Sequence, residues 1–518
     1  MGARLFGVVK RLVRPNFIGS SPPTHLLRVN AVQQLTFFTR VERGLARLHW
    51  DVYETGWPYA SGGVLKRAHH WRGRLAWRQE DIRRDFRQSL SRPVSASRCW
   101  EAMTAPVRLQ VLYITYDGLL EPLGQSQVLA YMEKLAPEWR VHILSFEKSK
   151  DRDDGARVAA MRARLRAAGI GWTPLAYHKS PSAPATAFDI AVGTLVALQL
   201  VLRLKVKIVH ARSYVPALVA IAVKRVAGVK FLFDMRGFWA DERVDGGLWP
   251  ENGRVYRIAK NLERRFLEAA DHVVTLTHAG ATEIARFPYL QDRMPPLSVI
   301  PTCADLNLFR PGPGRDDSVF TFGYVGSVGT WYLFDETLAF FRVIAGRRPD
   351  ARLLVVNRNE HEAIRAAVQK AGIELSRLEV TAAQHRDVPR YIARMHVGAA
   401  IIRPSYSKIA SAPTKLAEYL GCGAPCVGNV DVGDMAEILE GKCVGVALRE
   451  FTPAEYNRAA DRLFALLGDP DIRQRCVQTA RESFSLETGV DAYRNIYLSL
   501  AGHAVRLGDG RDACRHRI

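Results

Sequence analysis

Two doubly wound α/β domains with parallel sheets, preceded by a basic extension, are what this sequence of 518 residues predicts. Three observations carry that expectation. From residue 107 onward, short apolar runs alternate with helical stretches, the pattern of βα units on a parallel sheet. A Pro/Gly-rich break, PTCADLNLFRPGPGRD at 301–316, interrupts the alternation, which then restarts. The chain is also too long for one hydrophobic core, and its length favours about two or three domains.

The elements follow in order. Residues 1–105 show no βα alternation; they are rich in Arg and Trp and broken at Pro15, Pro22, Pro23, Gly62 and Gly63, with helix plausible over 65–90. Met103 stands just before the first convincing strand. The extension therefore reads either as an upstream-start artefact or as a genuine basic appendage. In the first domain (106–300) strands are expected at VRLQVLYI (107–114), WRVHILSF (139–146), IVHAR (208–212), FLFDMR (231–236) and HVVTLT (272–277), with a charged helix over 154–168. After the 301–316 linker, the second domain (317–483) offers TFGYVG, ARLLVVN, LEVTA, VGAAII, CVGN and CVGVAL. A last amphipathic helix is expected over 484–500, within a segment 484–503 that returns to the first domain, and an Arg-rich tail, expected to be disordered, closes the chain at 504–518. Two Rossmann-like units of this kind face a central cleft at the carboxyl ends of their strands.

Hydrophobic content of 48% with 24% charged residues is ordinary for a globular protein. The net charge of +21 is uneven: 18 Lys+Arg against 7 Asp+Glu in 1–105, 27 against 19 in 106–300, and 28 against 26 in 301–518. A basic first half suits an anionic partner such as nucleic acid, an acidic membrane surface or a phosphorylated substrate, or else a solvated surface with an Arg-rich tail. Seven scattered cysteines form no C-x-x-C pair, which argues for reduced thiols in the cytosol and against zinc. The apolar run 190–202, between Asp189 and Arg203, is too short to span a bilayer and reads as a buried helix. The basic N-terminus lacks the apolar core and cleavage site of a signal peptide, so no membrane span is expected.

Several loops at strand ends carry candidate chemistry. The stretch SAPTKLAEYLGCGAPCVGNVDVGD (411–434) places Lys415 and Glu418 three positions apart at a helix opening, where backbone N–H groups favour phosphate. Ser411 or Thr414 is expected to cap it, with Pro413 early in the helix. The bland alternative is a surface ion pair worth roughly a few tenths of a kcal/mol. YVGSVGTWY (324–332) forms a tight turn with Gly326, Ser327 and Gly329, and Thr330 offers a hydroxyl; Arg403 follows VGAAII. The first βα loop (117–127) brings Asp117 and Gly124 to a helix N-terminus, or is a structural turn. FDMRGFWADERVDGGLW (233–249) packs Arg236, Asp241, Glu242, Arg243 and Asp245 among aromatics, more like a site than a solvated loop. His210 ends a strand beside Arg212; a lone His there is usually a packing residue, and Arg212 raises the case for an anion contact. The D-x-D triplets Asp151/Asp153 and Asp469/Asp471 read as caps or turns.

Taken together, the 411–434 segment, the 324–332 turn, the 233–249 loop and the VIPTCADLNLFRP hinge (299–311) resemble retaining glycosyltransferases of family 4, which have the GT-B fold. The resemblance runs from about 107 to 500. It implies a nucleotide diphosphate-sugar donor on the second domain, with Lys415 on the diphosphate, Glu418 on the ribose, and Gly326, Ser327, Thr330, Arg403 and Thr414 nearby. It implies an acceptor on the first domain near Asp117, Gly124, His210, Arg212 and Glu242, with Arg236, Asp241 and Lys415 as catalytic candidates. The FDMRGFW form looks like that of a bacterial subgroup, which points to polysaccharide or glycoconjugate synthesis by a hexosyltransferase-type enzyme. Retention, no cofactor and no obligatory metal are implied. The sequence departs from the family in three places: the paired glycines of the first loop are missing, Arg236 stands where many members carry His, and Ala410 stands where many carry a Glu eight residues before Glu418. Backbone groups or Asp117 are the candidates to replace that carboxylate.

The expected partners are the donor, a glycan or lipid-linked acceptor and an anionic membrane surface, with no nucleic acid; the expected location is cytoplasmic, with peripheral docking on the inner face of the cell membrane an option. Rival readings are a GT-B sugar-nucleotide epimerase, a phosphorylase, for whose pyridoxal phosphate no persuasive site is found, and a basic nucleic-acid-binding protein.

Overall fold

A computed structural model describes residues 109–180, 182–313 and 315–502; the expectations for 1–105 and 504–518 lie outside them. Seven strands form the first sheet: β1 (Gln110–Thr115), β2 (Arg140–Glu147), β3 (Gly171–Ala176), β4 (Ile208–Arg212), β5 (Lys230–Asp234), β6 (His272–Thr275) and β7 (Leu297–Val299). Their order is β3-β2-β1-β4-β5-β6-β7, and every pairing is parallel. Six strands form the second: β8 (Thr321–Val325), β9 (Arg352–Val356), β10 (Leu378–Thr381), β11 (Val397–Ala399), β12 (Cys426–Asn429) and β13 (Gly445–Leu448), ordered β10-β9-β8-β11-β12-β13 and likewise parallel. Both sheets reverse direction beside their first strand, at β1/β4 and β8/β11. Such switch points open crevices at the strand carboxyl ends.

The central strands are buried on both faces, as in IVHAR, where every residue is enclosed. That is why they read as continuous apolar runs. The two strands that sequence reasoning missed are edge strands. β3 is half-buried throughout and contains Pro174, and β7 is three residues long. An edge needs no unbroken apolar run and tolerates proline.

One expectation is corrected. The apolar run 190–202 belongs to a helix of 23 residues, Ser182–Leu204. Its segment Ala183–Leu204 is, by length and composition, long and apolar enough to cross a membrane, and only 28% of its most apolar window is buried. The sequence reading stopped the run at Asp189 because a carboxylate normally marks a solvated boundary. Here Asp189 is 1% exposed and accepts hydrogen bonds from the Tyr116 hydroxyl and the His178 backbone N–H, so the apolar helix continues through it.

The helix Leu486–Leu500 packs into the first domain, where Leu486, Val490, Tyr493, Ile496 and Tyr497 join Val111, Tyr113 and Tyr131 in one core. The chain therefore crosses between the domains twice, and the two crossings are paired. Ala304 N donates to Phe484 O at 2.9 Å, and Leu486 N donates to Ala304 O at 3.0 Å.

In the second domain the helix Thr414–Gly421 lies against the sheet through Tyr419. Val325 N donates to the Tyr419 hydroxyl at 2.8 Å, and that hydroxyl donates to Ala399 O at 3.2 Å, which ties the helix to β8 and β11. Gly398 leaves room for the ring: a Cβ there would stand 2.6 Å from Tyr419 Cγ. Gly398→Ala is expected to cost about 1–3 kcal/mol through overpacking, read as a lower urea midpoint for the purified chain. An unchanged midpoint would mean that the ring is not held as described.

Candidate functional site

Second-domain groups converge at the carboxyl ends of β8 and β11. Lys415 begins the second position of the Thr414–Gly421 helix and is 6% exposed. Its Nζ lies 4.3 Å from the Tyr324 ring centre and 3.8 Å from that of Tyr332, a cation held against two π faces. Among the described residues Nζ finds no hydrogen-bond partner. Burial pushes its pKa down to about 7, while Glu418 pulls in the opposite sense. Gly326 faces this ammonium. Its φ of +111 suits only glycine, and a Cβ there would stand 3.4 Å from Nζ.

The turn after β8 is held by side chains of the loop that follows β9. Asn357, just past β9, donates to Gly326 O at 2.9 Å and to Glu360 at 2.7 Å, and Glu360 accepts from Val328 N at 3.2 Å. Ser327 and Thr330 are exposed at the turn, Thr330 with a left-handed φ of +58. The strand of chain after the turn runs antiparallel to the continuation of β11: Arg403 N donates to Trp331 O at 2.8 Å, which sets an exposed Arg403 beside the aromatic pair. Sequence reasoning quoted Tyr324 and Tyr332 without giving them a role, and it missed Asn357 and Glu360. An Asn ending an apolar strand was the available signal.

The cap differs from expectation. Pro413 is the N-cap and Thr414 the first helical residue, and no side chain caps the helix; Ser411 instead donates its N–H to Lys408 O. Leu416 N donates to Pro413 O at 3.1 Å, and the N–H groups of Thr414 and Lys415 are left for another acceptor. Glu418, one turn further, is 7% exposed with His385 Nε2 3.4 Å from its carboxylate. Thr414 and Glu418 border an inter-domain cavity of about 580 Å³, lined across the cleft by Glu121, Gln125, Lys148 and Arg157.

On the first domain, Asp117, Arg212 and Arg236 gather at the carboxyl ends of β1, β4 and β5. Arg212 is 4% exposed, sits 3.0 Å from Asp234 and 3.9 Å from Asp117, and keeps Nε and Nη2 without hydrogen-bond partners among the described residues. Burial opposes its charge, but Tyr113, Asp234 and Asp117 outweigh it and raise its pKa. Arg236 is half-buried with a φ of +66, unusual for a residue with a side chain; burial and the neighbouring Arg212 lower its pKa. Asp117 remains open to the cleft, with its side chain 45% exposed.

Three first-domain expectations are corrected. His210 is fully buried and its Nδ1 is 2.8 Å from the Tyr497 hydroxyl, so it braces the C-terminal helix and cannot touch an acceptor. Gly124 is buried, and a Cβ there would lie 2.1 Å from Gly118 O; the glycine permits close packing of its own loop, whose Leu119 and Leu120 N–H groups are taken by the Glu147 carboxylate. Asp241 is 5% exposed and accepts from Tyr256 at 2.8 Å and Lys260 at 2.9 Å, so its carboxylate is committed to the interior of its own domain.

Glu242 bridges the cleft: Lys408 Nζ is 2.8 Å from its Oε1 and 3.7 Å from the Trp331 ring centre. Asp245 accepts from Ser407 N at 2.9 Å, Thr277 donates to Ile409 O at 2.8 Å, and Asp434 accepts from His278 N and Ala279 N at 2.7 and 2.9 Å. Ala410 sits at this junction with no exposure. A Cβ on Gly237 would come within 3.1 Å of its carbonyl oxygen, and one on Gly280 within 2.9 Å of its Cβ. This close approach leaves no room for the longer carboxylate that many family members carry there. Of the D-x-D residues, Asp151 pairs with Arg157 at 2.8 Å, and Asp469 accepts from Asp471 N and from Arg475. Among the described residues no cluster of His, Cys, Asp or Glu has a metal-holding arrangement.

Family models match both domains: a glycosyl transferase 4-like domain over 124–301 and a glycosyl transferases group 1 domain over 320–466. No curated protein matches the chain in sequence. Solved structures with a similar fold include sucrose-phosphate synthase from Thermosynechococcus elongatus (14% identity, TM-score 0.59, covering 76% of this chain and 100% of that one). They also include HepE from Anabaena, solved with UDP and glucose (16%, TM-score 0.52, 76% and 100%). A putative UDP-N-acetylglucosamine 2-epimerase from Listeria monocytogenes (12%, TM-score 0.51, 77% and 98%) has the same architecture. Two family models spanning well over half of the chain, on two facing doubly wound sheets, make this protein a GT-B glycosyltransferase of the 4-like and group 1 families.

Proposed function

We propose that the protein transfers a sugar, with retention, from a nucleoside diphosphate-sugar bound on the second domain to an acceptor hydroxyl presented by the first. One observation carries this reading: the buried Lys415 ammonium, facing Gly326 with no hydrogen-bond partner among the described residues. A buried charge without a counter-charge is costly unless a ligand supplies one. A diphosphate at the turn meets Lys415 and the uncapped N–H groups of the Thr414–Gly421 helix together. Glu418, one turn on, accepts from the ribose hydroxyls. As the glycosidic bond breaks, negative charge builds on the departing diphosphate, and the same ammonium and N–H groups stabilise it. Arg403 and Thr330 flank the phosphates.

The acceptor approaches from Asp117 and Arg236. Closure of the cleft aligns the partners and keeps water from the donor. Retention rests on the family resemblance, as does a place in polysaccharide or glycoconjugate synthesis with a glycan or lipid-linked acceptor. Neither a cofactor nor a metal enters this reading, since Lys415 and the helix end supply the positive charge.

Screening UDP-, GDP- and ADP-sugars for thermal stabilisation identifies the donor. Conversion of the donor sugar in the absence of any acceptor would move the assignment to an epimerase.

Lys415→Met is expected to act in opposite directions on stability and on function. It removes an uncompensated buried charge, so the thermal midpoint of the unliganded protein rises, while kcat/KM falls roughly 100-fold. Equal stabilisation of wild type and variant by the donor would overturn the diphosphate role.

The depressed Lys415 pKa gives a pH signature. With a folded value of about 7 against an ordinary 10.5, the folded chain binds fewer protons than the unfolded one between those limits. The residue therefore destabilises the fold at low pH, and that cost fades as pH rises from about 7. Diphosphate binding restores the charge, so calorimetry near pH ~8.5 should register uptake of about one proton, and near pH ~6 almost none. The uptake should vanish in Lys415→Met; uptake that persists there would place the titrating group elsewhere.

Glu418→Ala is expected to weaken nucleoside diphosphate binding about tenfold. It should also abolish the preference for a ribose over a 2′,3′-dideoxyribose nucleotide, measured by competition. A variant that still discriminates would remove Glu418 from the ribose contact.

A further inference from the structure

The crossover helix Ser182–Leu204 has two unlike faces. Its inner stripe recurs every four residues as Ala185, Asp189, Gly193, Ala197 and Val201, all buried. Gly193 lets the helix seat closely: a Cβ there would stand 2.9 Å from the Phe146 ring and 3.5 Å from Val219. The outer stripe is also apolar. Phe188, Leu195 and Leu202, spaced seven apart, are 56%, 57% and 65% exposed, and Val226 on the neighbouring helix Tyr214–Ala227 is 71% exposed. Scattered apolar residues on a surface are ordinary, but a stripe along a whole helix marks an interaction site.

The charge around the stripe says what it meets. Arg203 lies in the last turn of the helix, Lys205 and Lys207 follow it, and Arg225 lies in the last turn of its neighbour. All four are exposed, and none pairs with an acidic side chain among the described residues. The acidic side chain on the helix itself, Asp189, points inward. Apolar side chains beside unpaired cations, with no outward carboxylate, match a bilayer interface bearing anionic headgroups. The helix is built into the β3–β4 crossover by its small inner residues and by Asp189, which fixes it to Tyr116, so it meets a bilayer lying along its surface. We propose that the outward face of Ser182–Leu204, together with Arg203, Lys205, Lys207 and Arg225, docks the first domain on an anionic lipid bilayer. Tyr116 directly precedes Asp117 in the chain, so the docked helix is coupled to the mouth where an acceptor enters.

Flotation of the full chain with vesicles of equal phosphatidylglycerol and phosphatidylcholine, against pure phosphatidylcholine, tests this. Binding is expected to the anionic vesicles, weakening with salt. L195E/L202E should lower the partition by about tenfold or more, and R203E/K205E/K207E should abolish the preference for phosphatidylglycerol. Donor binding by calorimetry should be unchanged in both variants, which reports that they fold and separates this test from that of the nucleotide site. Failure of the wild type to float would overturn the proposal. So would flotation unaffected by L195E/L202E, which would place docking elsewhere in the chain. Sedimentation as a dimer that L195E/L202E dissociates would instead assign the face to a second copy.

Discussion

A lysine ammonium buried between two tyrosine rings is the constraint around which the second domain is arranged. Tyr324 lies near the end of β8, Tyr332 lies on the antiparallel return beside Ile402, and Lys415 arrives on the helix before β12. Three separate chain segments thus surround one charge. Gly326 keeps its approach open, Asn357 and Glu360 hold the turn that faces it, and Tyr419 fixes the helix that carries it. The fold here holds in place a buried charge that has no hydrogen-bond partner among the described residues.

The opposite wall is organised differently. Arg212 and Asp234 form a buried pair whose charges are stabilised mutually, and Asp117 extends that pair toward the cleft. Burial alone would raise the Asp234 pKa, but Arg212 and His210 hold it near 2, so the pair stays ionised. The buried cation of the second domain therefore has no hydrogen-bond partner among the described residues, whereas Arg212 on the first domain has Asp234 while its Nε and Nη2 stay without partners. That asymmetry fits a donor gripped strongly by one domain and an acceptor positioned by the other.

Much of this was legible in the sequence because parallel central strands and helix openings leave plain marks. All six strands of the second sheet stand where apolar runs predicted them, and Gly326 lies beside Lys415, as the family resemblance implied. Edge strands β3 and β7 escaped, since an edge does not need apolar residues on both faces. His210, Gly124 and Asp241 were misread for a shared reason. Their sequence neighbourhoods read as a strand end and two loops, where exposure is expected, but His210 stands mid-strand in β4 and Asp241 inside the helix Trp239–Asp245, and tertiary packing closes over all three through Tyr497, Gly118 and Lys260. The Ser182–Leu204 helix was misjudged because one carboxylate looked like a boundary, although its partners Tyr116 and His178 are 73 and 11 positions away. Local pattern cannot register a partner so remote.

The pairing of Ala304 with Phe484 and Leu486 means that the first domain borrows its last helix from the far end of the chain. During synthesis, His210 leaves the ribosome 287 residues before its partner Tyr497, and Tyr113 and Tyr131 leave it earlier still. Domains usually mature from the N-terminus forward. In this protein the order is inverted: the earlier-made half stays unfinished, with aromatic surface uncovered, until the later-made half has been released. A truncation that removes Leu486–Leu500 would strike the beginning of the molecule.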